Sequence, residues 1–514
     1  MCMFNNLLEK NFNIKVFLIL AVVVFALYGK TIFFNFVYFD DDVLILDKQN
    51  YLTVSNIKNI LTDTVFGREN DKYYRPVLNL SFLADKLIYN INPYGYHLTN
   101  ILIHLLAVFA IFILFSYKYD KYLSILFSII FAVHPTLVKA VAWIPGRNDS
   151  LLALFSVLSF YFFIKYSENY KKSTLIFHIL FFILSMFTKE TAVISVFIYV
   201  LYIFINKYHI KKYLTAGLIW IGTIISFFII RHFIFSYQVI ETSNYILLKT
   251  AFANIPVLIQ YAQSIIFPTE ISILASKINI NYFTFFYTVV FFILLFFLSK
   301  NKIKLKLIIF YITWFLFYIL PSCLVPNNNY DIHRIYLPMV GIFLLLLETT
   351  KEYYQKYTKI SVIFLILISI VFFLISLPQI SKFKDKKIFW VNALIDNPQS
   401  AIANANVGGL LSDAHNYEEA EKKYLKAISI EQWESKHYVN LAVLYVHMNN
   451  IEKAEEYLLK ALNLNKYNEM IYYNLSQIYN YQGKKELAMQ MKAMYLEIFV
   501  LQNRYDKPLE IKIK

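Results

Sequence analysis

Apolar runs about as long as a bilayer is thick recur along this chain from Val16 to Leu377, and then they stop. A spanning helix needs about 20 mostly apolar residues, because lipid offers no partner to an unpaired backbone group. The runs are 16–36, 97–117, 122–133, 151–164, 173–187, 191–205, 213–230, 282–298, 307–320, 335–347 and 360–377. They predict an all-α, polytopic membrane domain of about eleven spans, with polar flanks completing the shorter ones. Residues 250–267 are interrupted by Pro256, Gln260 and Gln263 and read as an interfacial or re-entrant helix on the non-cytoplasmic side.

Charge fixes the orientation. The chain is 58% hydrophobic and 16% charged, against about 25% charged in soluble proteins. Its net charge of +15 comes largely from Lys in short clusters between the runs, which suits anionic lipid and orientation signalling rather than nucleic acid. The clusters are Lys118 and Lys121; Lys165, Lys171 and Lys172; Lys207, Lys211 and Lys212; Lys300 to Lys306; and Lys351, Lys356 and Lys359. With the N-terminus cytoplasmic, every cluster falls inside. The first run lacks a small-residue cleavage site and reads as an uncleaved anchor. An odd number of spans then places the C-terminal domain outside the cytoplasm. Cys2 and Cys323 fall on opposite sides of the membrane, so no disulfide is expected, and no zinc spacing occurs.

Beyond the spans the sequence repeats every 34 residues, the tetratricopeptide length. Asn406, Asn440 and Asn474 keep that interval; so do Ala420, Ala454 and Ala488, and Leu411, Tyr445 and Tyr479. His415, Asn449 and Gly483 keep it at the turn between paired helices. Small Ala permits close helix approach, while the larger positions fill the layers between repeats. The expected domains are a membrane domain over 1–380 with a long outside loop (37–96), a linker (381–399), a repeat array (400–500) capped by residues 489–500, and a tail (501–514). Such arrays commonly hold peptides or partner proteins.

Polar chemistry gathers in the outside loops. The first opens on Asp40, Asp41 and Asp42, where like charges raise one another's pKa and a carboxylate can serve as general base toward a hydroxyl. It continues through Arg75, whose guanidinium fork suits phosphate, to His97 at the interface. His134, Lys139, Arg147 and Asp149 share the next outside loop; Lys189 and Glu190, Arg231 and His232, and Asp331, His333 and Arg334 fall at the same face. A solvated acidic loop, a snorkelling Arg and a plain Lys–Glu ion pair are the bland alternatives. No P-loop, dinucleotide fingerprint, HExxH or GxSxG motif occurs.

The ordered set FVYFDDDVLIL, YYRPVLNLSFLADKLIYNINPYGYHLTNILIHLL, FAVHPTLVKAVAWIPGRND, TKETA and HRIYLP, followed by 34-residue repeats, resembles the transmembrane-and-tetratricopeptide-repeat family of GT-C glycosyltransferases. That resemblance implies a GT-C-like membrane domain and an inverting transfer of a hexose such as mannose from a polyprenyl-phosphate carrier to a protein hydroxyl outside the cytosol. It implies an acidic base in the first outside loop, with Asp41 first, Asp40 next and Asp42 beside them. It also implies a donor-phosphate site drawn from Arg75, His97, His134, Arg147, Lys189, Glu190, His333 and Arg334. No cofactor is expected, and no ligand set for a divalent cation stands out. Relatives often read His-Pro-x-His-x-Glu where Leu137 and Lys139 stand, and Glu where Ile332 stands. Those departures leave Asp149 or Asp331 as a substitute second carboxylate. They also keep two alternatives open, a surface-polysaccharide or glycolipid ligase and a non-enzymatic repeat scaffold on a membrane anchor.

Overall fold

The computed structural model describes residues 2–66, 73–234, 250, 252–269, 271–277, 281–298, 305–324 and 329–502. They form two compact units, a membrane unit ending at Lys384 and a repeat unit beginning at Asp385.

In the membrane unit, α1 (Cys2–Tyr28) leads through the first loop, which holds α2 (Ile57–Thr62) and α3 (Pro76–Tyr89), to α4 (Pro93–Lys118) and α5 (Lys121–Ala132). A polar break and the short α6 (Val138–Ala142) precede α7 (Arg147–Asn169), α8 (Lys172–Thr188), α9 (Ile194–Ile205) and α10 (Leu214–Ile234). Then come α11 (Ile255–Ile266), α12 (Tyr282–Leu298), α13 (Leu305–Cys323), α14 (Tyr336–Lys356) and α15 (Thr358–Ser381). The described residues hold one two-residue antiparallel pair, Ser276–Lys277 with Asn329–Tyr330.

Helices begin where the sequence supplies caps. The Asn92 side chain accepts from the Tyr94 N–H just ahead of Pro93, and Asp120 accepts from the N–H groups of Tyr122 and Leu123. Helix α4 is the hub, packed on α1, α5 and α7. Helix α14 is central, 78% of its apolar window being buried, whereas α15 buries 11% of its own and turns Ile363, Phe364 and Leu367 outward, as a lipid-facing helix does. Gly341 sets how closely α14 meets α13: a Cβ there would lie 2.7 Å from the Tyr311 carbonyl oxygen. The His104 ring bridges the Tyr336 hydroxyl at 2.6 Å and the Ala132 carbonyl at 3.1 Å.

The count of about eleven spans is not reached on length. Among the described residues, seven helices are long and apolar enough to cross a bilayer, and an eighth results if Lys121–Ala132 and Pro135–Ala142, bent by 52°, form one broken span. Lys172–Thr188, Glu190–Ile205 and Tyr282–Phe291 are helical but shorter. At 1.5 Å per residue such helices fall short of a hydrocarbon core of about 30 Å. Helix α11 packs on α12 and α13, burying Tyr261 and Ile265 together with Gln260 and Gln263. The two ends of the unit are tied. Lys30 Nζ donates to the Leu377 carbonyl and the Ser381 hydroxyl, and the Asn35 N–H donates to the Lys384 carbonyl at 2.9 Å.

The repeat unit stacks three helix pairs, α17 (Ala401–Asp413) with α18 (Tyr417–Ile430), α19 (Ser435–His447) with α20 (Ile451–Leu464), and α21 (Glu469–Tyr481) with α22 (Lys485–Gln502). The expected linker is partly helix: α16 (Lys386–Asp396) is capped by Asp385, buries Phe389 and Trp390 and packs on α17. Residues 489–500 continue the second helix of the third pair rather than adding a separate cap. The register read from the sequence carries a shared turn. His415, Asn449 and Gly483 all have left-handed backbone, at φ 59°, 58° and 75°. After each, the next N–H reaches back to the carbonyl of Leu411, Tyr445 or Tyr479, so the same six-residue closure ends each first helix.

Candidate functional site

Charged side chains interlock at the end of the bundle where α4, α7 and α14 begin and α8 finishes. Lys139 Nζ lies 2.8 Å from Asp331 Oδ1, which meets His333 Nδ1 at 2.6 Å. The other nitrogen of that ring faces Asp149 Oδ2 at 3.6 Å, and Asp149 Oδ1 pairs with Lys189 Nζ at 2.7 Å. Beside this chain, Arg75 grips Glu190 with two hydrogen bonds, Nε to Oε2 at 3.1 Å and Nη2 to Oε1 at 2.8 Å. Asn148, with its amide in the orientation that satisfies both atoms, accepts from Arg75 Nη1 and donates to the Thr188 carbonyl, each at 3.1 Å.

Arg334 adds a half-buried cation next in the chain to His333, and among the described residues no carboxylate pairs with it. The cations Arg75, Lys139, Lys189 and Arg334 therefore outnumber the carboxylates Glu190, Asp149 and Asp331. Burial pushes the Asp331 carboxyl up, but His333, Lys139 and Arg334 outweigh it and hold the group well below the usual carboxylate range. Counted apart from the first loop, this partly buried cluster holds one more cation than carboxylates, which suits an anion whose charge grows during reaction.

The first loop leans on this network through Phe39. The Phe39 carbonyl accepts from Trp143 Nε1 at 2.7 Å, and its ring stacks on Trp143 with centroids 5.0 Å apart. Lys139 Nζ lies 5.2 Å from the Trp143 ring centroid, and the other edge of Trp143 meets His333. Within the loop the three Asp residues differ. Asp41 is 1% exposed, whereas Asp40 and Asp42 are half-buried. Asp41 Oδ2 accepts from the Val37 N–H at 2.7 Å, and Oδ1 accepts from Phe39 at 2.9 Å and Asp42 at 3.1 Å. Burial pushes the Asp41 carboxyl up to about 7, against the pull of these N–H groups.

Of the residues expected to hold a donor phosphate, the structure brings together Arg75, Lys189, Glu190, His333 and Arg334. Three others sit elsewhere. Arg147 is fully buried: it pairs with Asp85 at 2.5 Å, donates to Asn100 Oδ1 and the Tyr96 carbonyl, and lies over the Phe82 ring. Its guanidinium turns toward α3 and α4, where it joins the first loop to the bundle. His134 is fully buried between the Ile265 carbonyl and the Thr136 hydroxyl. His97 is 1% exposed and packs edge-on against Phe34. Sequence reading gave no role to Trp143 or Asn148, although both lie in the quoted stretch around Trp-Ile-Pro-Gly-Arg-Asn-Asp. Arg231, at the end of α10, is described but not among the pairs of this network. Among the described residues no group of three His, Cys, Asp or Glu is arranged to hold a metal ion.

Comparison with known proteins bears on this end of the bundle. The family profile described as dolichyl-phosphate-mannose-protein mannosyltransferase matches residues 84–235, and a tetratricopeptide-repeat profile matches residues 436–468. The first profile falls in the membrane unit and the second in the repeat unit. The chain is 32% identical over 157 residues to the human protein O-mannosyl-transferase TMTC3, covering 29% of this chain and 17% of that protein. It is 35% identical over 151 residues to TMTC2 of Mus musculus, covering 28% of this chain and 18% of that one. The Drosophila melanogaster Tmtc1 aligns over 179 residues at 28% identity, covering 34% of this chain and 21% of its own length. The matched stretches thus span about a fifth of these relatives' lengths, and the mannosyltransferase profile covers the part of the membrane unit that carries Arg147, Asp149, Lys189 and Glu190.

Proposed function

We propose that this chain is a membrane glycosyltransferase that moves a hexose, mannose first among candidates, from a polyprenyl-phosphate carrier to a hydroxyl of a protein on the extracytoplasmic side. The observation that carries the reading is the meeting of the Asp40–Asp42 loop with the surplus of cations from Arg75, Lys139, Lys189 and Arg334 at one end of the bundle. A carboxylate of the loop takes the proton of the acceptor hydroxyl as that oxygen bonds to the anomeric carbon from the face opposite the leaving group. The bond from the anomeric carbon to the phosphate oxygen breaks, and its electron pair leaves on the polyprenyl phosphate. Arg334, Lys189 and the Arg75 guanidinium stabilise the charge that develops there. Backside attack inverts the anomeric centre.

Orientation is supported without counting spans. Helices α4, α7 and α14 start at the site and end near Lys118, Lys165 and Lys356, while α8 starts at Lys172 and ends at the site. The lysine-rich ends are thus opposite the site, which suits a cytoplasmic lysine face. The membrane unit ends at Lys384 beside Asn35, at the mouth of the first loop, which fits an extracytoplasmic repeat unit able to recruit the acceptor protein.

The test is direct. The full chain in lipid nanodiscs is incubated with polyprenyl-phosphate mannose or glucose and an acceptor protein, and the added hexose is read by mass spectrometry. Transfer lost in Arg75→Ala and Arg334→Ala and in Asp40→Asn with Asp41→Asn is the expected result. Transfer undiminished in the double Asp variant would remove the loop from the chemistry. Transfer only to lipid or glycan acceptors would reassign the chain to glycolipid assembly.

A further inference from the structure

We infer that Asp41 is a positioning residue, the internal anchor of a strained turn that presents Asp40 as the base; this rests on the transfer reaction proposed above. A general base needs an oxygen that a hydroxyl can approach. Both oxygens of Asp41 are engaged by fixed backbone N–H groups, from residues 37, 39 and 42, and the side chain is 1% exposed. The loop has folded around this carboxylate as backbone nests fold around bound anions.

The backbone shows what that arrangement sustains. Tyr38 has φ 58° and Asp40 has φ 68°, so two residues on either side of Phe39 take the left-handed conformation. Side-chain-bearing residues hold that conformation only where their surroundings over-determine it, and such strain gathers at functional sites. Here the surroundings are specific. Asp41 collects the N–H groups on both sides of the strained pair, Trp143 holds the Phe39 carbonyl, and the Asp40 carbonyl accepts from the Leu44 N–H at 2.9 Å. The main chain at residue 40 is therefore pinned before and after its Cα. Asp42 begins the following helical turn with its own N–H on Asp41, after an Asp41 backbone of ordinary right-handed geometry (φ −69°, ψ −30°). Of the two half-buried carboxylates, the one at the strained position is Asp40. It takes the hydroxyl proton, while Asp41 anchors the turn and takes no part in the proton transfer.

Two variants separate the roles. Asp40→Gly accepts the left-handed backbone without strain, leaves the Asp41 hydrogen bonds in place and opens space for a small carboxylate. Asp41→Asn keeps one acceptor oxygen for the Phe39 and Asp42 N–H groups but turns a donor toward Val37. Two readouts are taken on the full chain in nanodiscs: kcat and KM across pH with and without formate, and hydrogen exchange at the 37, 39 and 42 amides.

The expected result for Asp40→Gly is a fall in kcat of about 10²- to 10⁴-fold, with KM changed less than about threefold, partial recovery in formate, and unchanged amide protection. Asp41→Asn should lose less than about 100-fold, gain nothing from formate, keep the acidic limb of the rate profile, and exchange faster at Val37. The inference is overturned if Asp41→Asn is the variant that formate rescues, if Asp40→Gly keeps wild-type kcat, or if Val37 exchange is unmoved in Asp41→Asn. The exchange readout needs no turnover. If the wild-type chain transfers no sugar from any donor, the proposed function fails while the anchoring role is still judged by exchange.

Discussion

Replacing Lys139 by Met and Asp331 by Asn, singly and together, measures how firmly the site is held. The pair is 2.8 Å apart, with side chains 3% and 13% exposed. At that separation the Coulomb attraction is about 6 kcal/mol for an effective dielectric of about 20. Desolvation offsets much of it, and removing one partner of such a buried pair costs about 3–5 kcal/mol because the other charge is stranded. Asp331 retains its 2.6 Å contact with His333 and the field of Arg334, so Lys139→Met falls near the low end, about 3 kcal/mol. Met keeps the aliphatic stem beside Phe39 and Trp143, which confines the loss to the ammonium. The double variant strands no charge, so its loss should be about 2 kcal/mol less than the sum of the two single losses. The Asp331 carboxyl is held low, so the pair's contribution is present above the unfolded Asp pKa and is lost only as pH falls through the lower folded value. The Lys139→Met deficit should therefore be flat from pH 5 to pH 8. Unfolding of the full chain by SDS in mixed micelles, followed by tryptophan fluorescence, gives all four free energies. A coupling below about 0.5 kcal/mol, or a deficit that varies across this pH range, would refute the account.

Gly341→Val should loosen the α13–α14 contact by about 1–3 kcal/mol in the same assay, since its side chain has no room beside the Tyr311 carbonyl. Arg147→Met should lose about 3–5 kcal/mol by stranding Asp85, at any donor concentration, which marks the residue as structural. His415→Gly should stabilise the repeat unit by about 0.5–1 kcal/mol, as relief of left-handed strain exceeds the added chain entropy; a lower repeat transition in thermal unfolding would contradict it. Because burial lifts Asp41 to about 7, its contribution favours folding most at low pH and is lost as pH rises from about 4 to about 7. Asp41→Asn should flatten that slope in unfolding measured across pH.

The legibility of this chain in its sequence follows the range of the interactions involved. Membrane runs and repeats are periodic and local, so their positions are readable, and the left-handed turn at His415, Asn449 and Gly483 lies where the 34-residue register puts it. Span number is less readable, because a run of apolar residues does not show where its helix breaks, as at the 52° bend after Ala132. The gathering of charged motifs at one face follows from alternating helix direction, but their pairing does not. Arg75 and Glu190 are 115 positions apart, and the sequence shows two charge types without showing that they meet. Arg147 illustrates the converse: an Arg in an outside-loop motif reads as a ligand for phosphate until its partner, Asp85, is seen on α3. Asp41 depends on backbone angles at Tyr38 and Asp40 that residue identity would disfavour.

The clasp between Lys30, Asn35 and the segment from Leu377 to Lys384 has a consequence for biogenesis. During synthesis the first helix enters the bilayer some 350 positions before its last neighbour exists. The mouth of the acidic loop therefore stays unbraced until the ribosome has passed the final membrane helix. A nascent chain arrested earlier would hold most of the charged network yet lack the brace that sets the loop, so the proposed activity would arrive late, with the stretch that precedes the repeats.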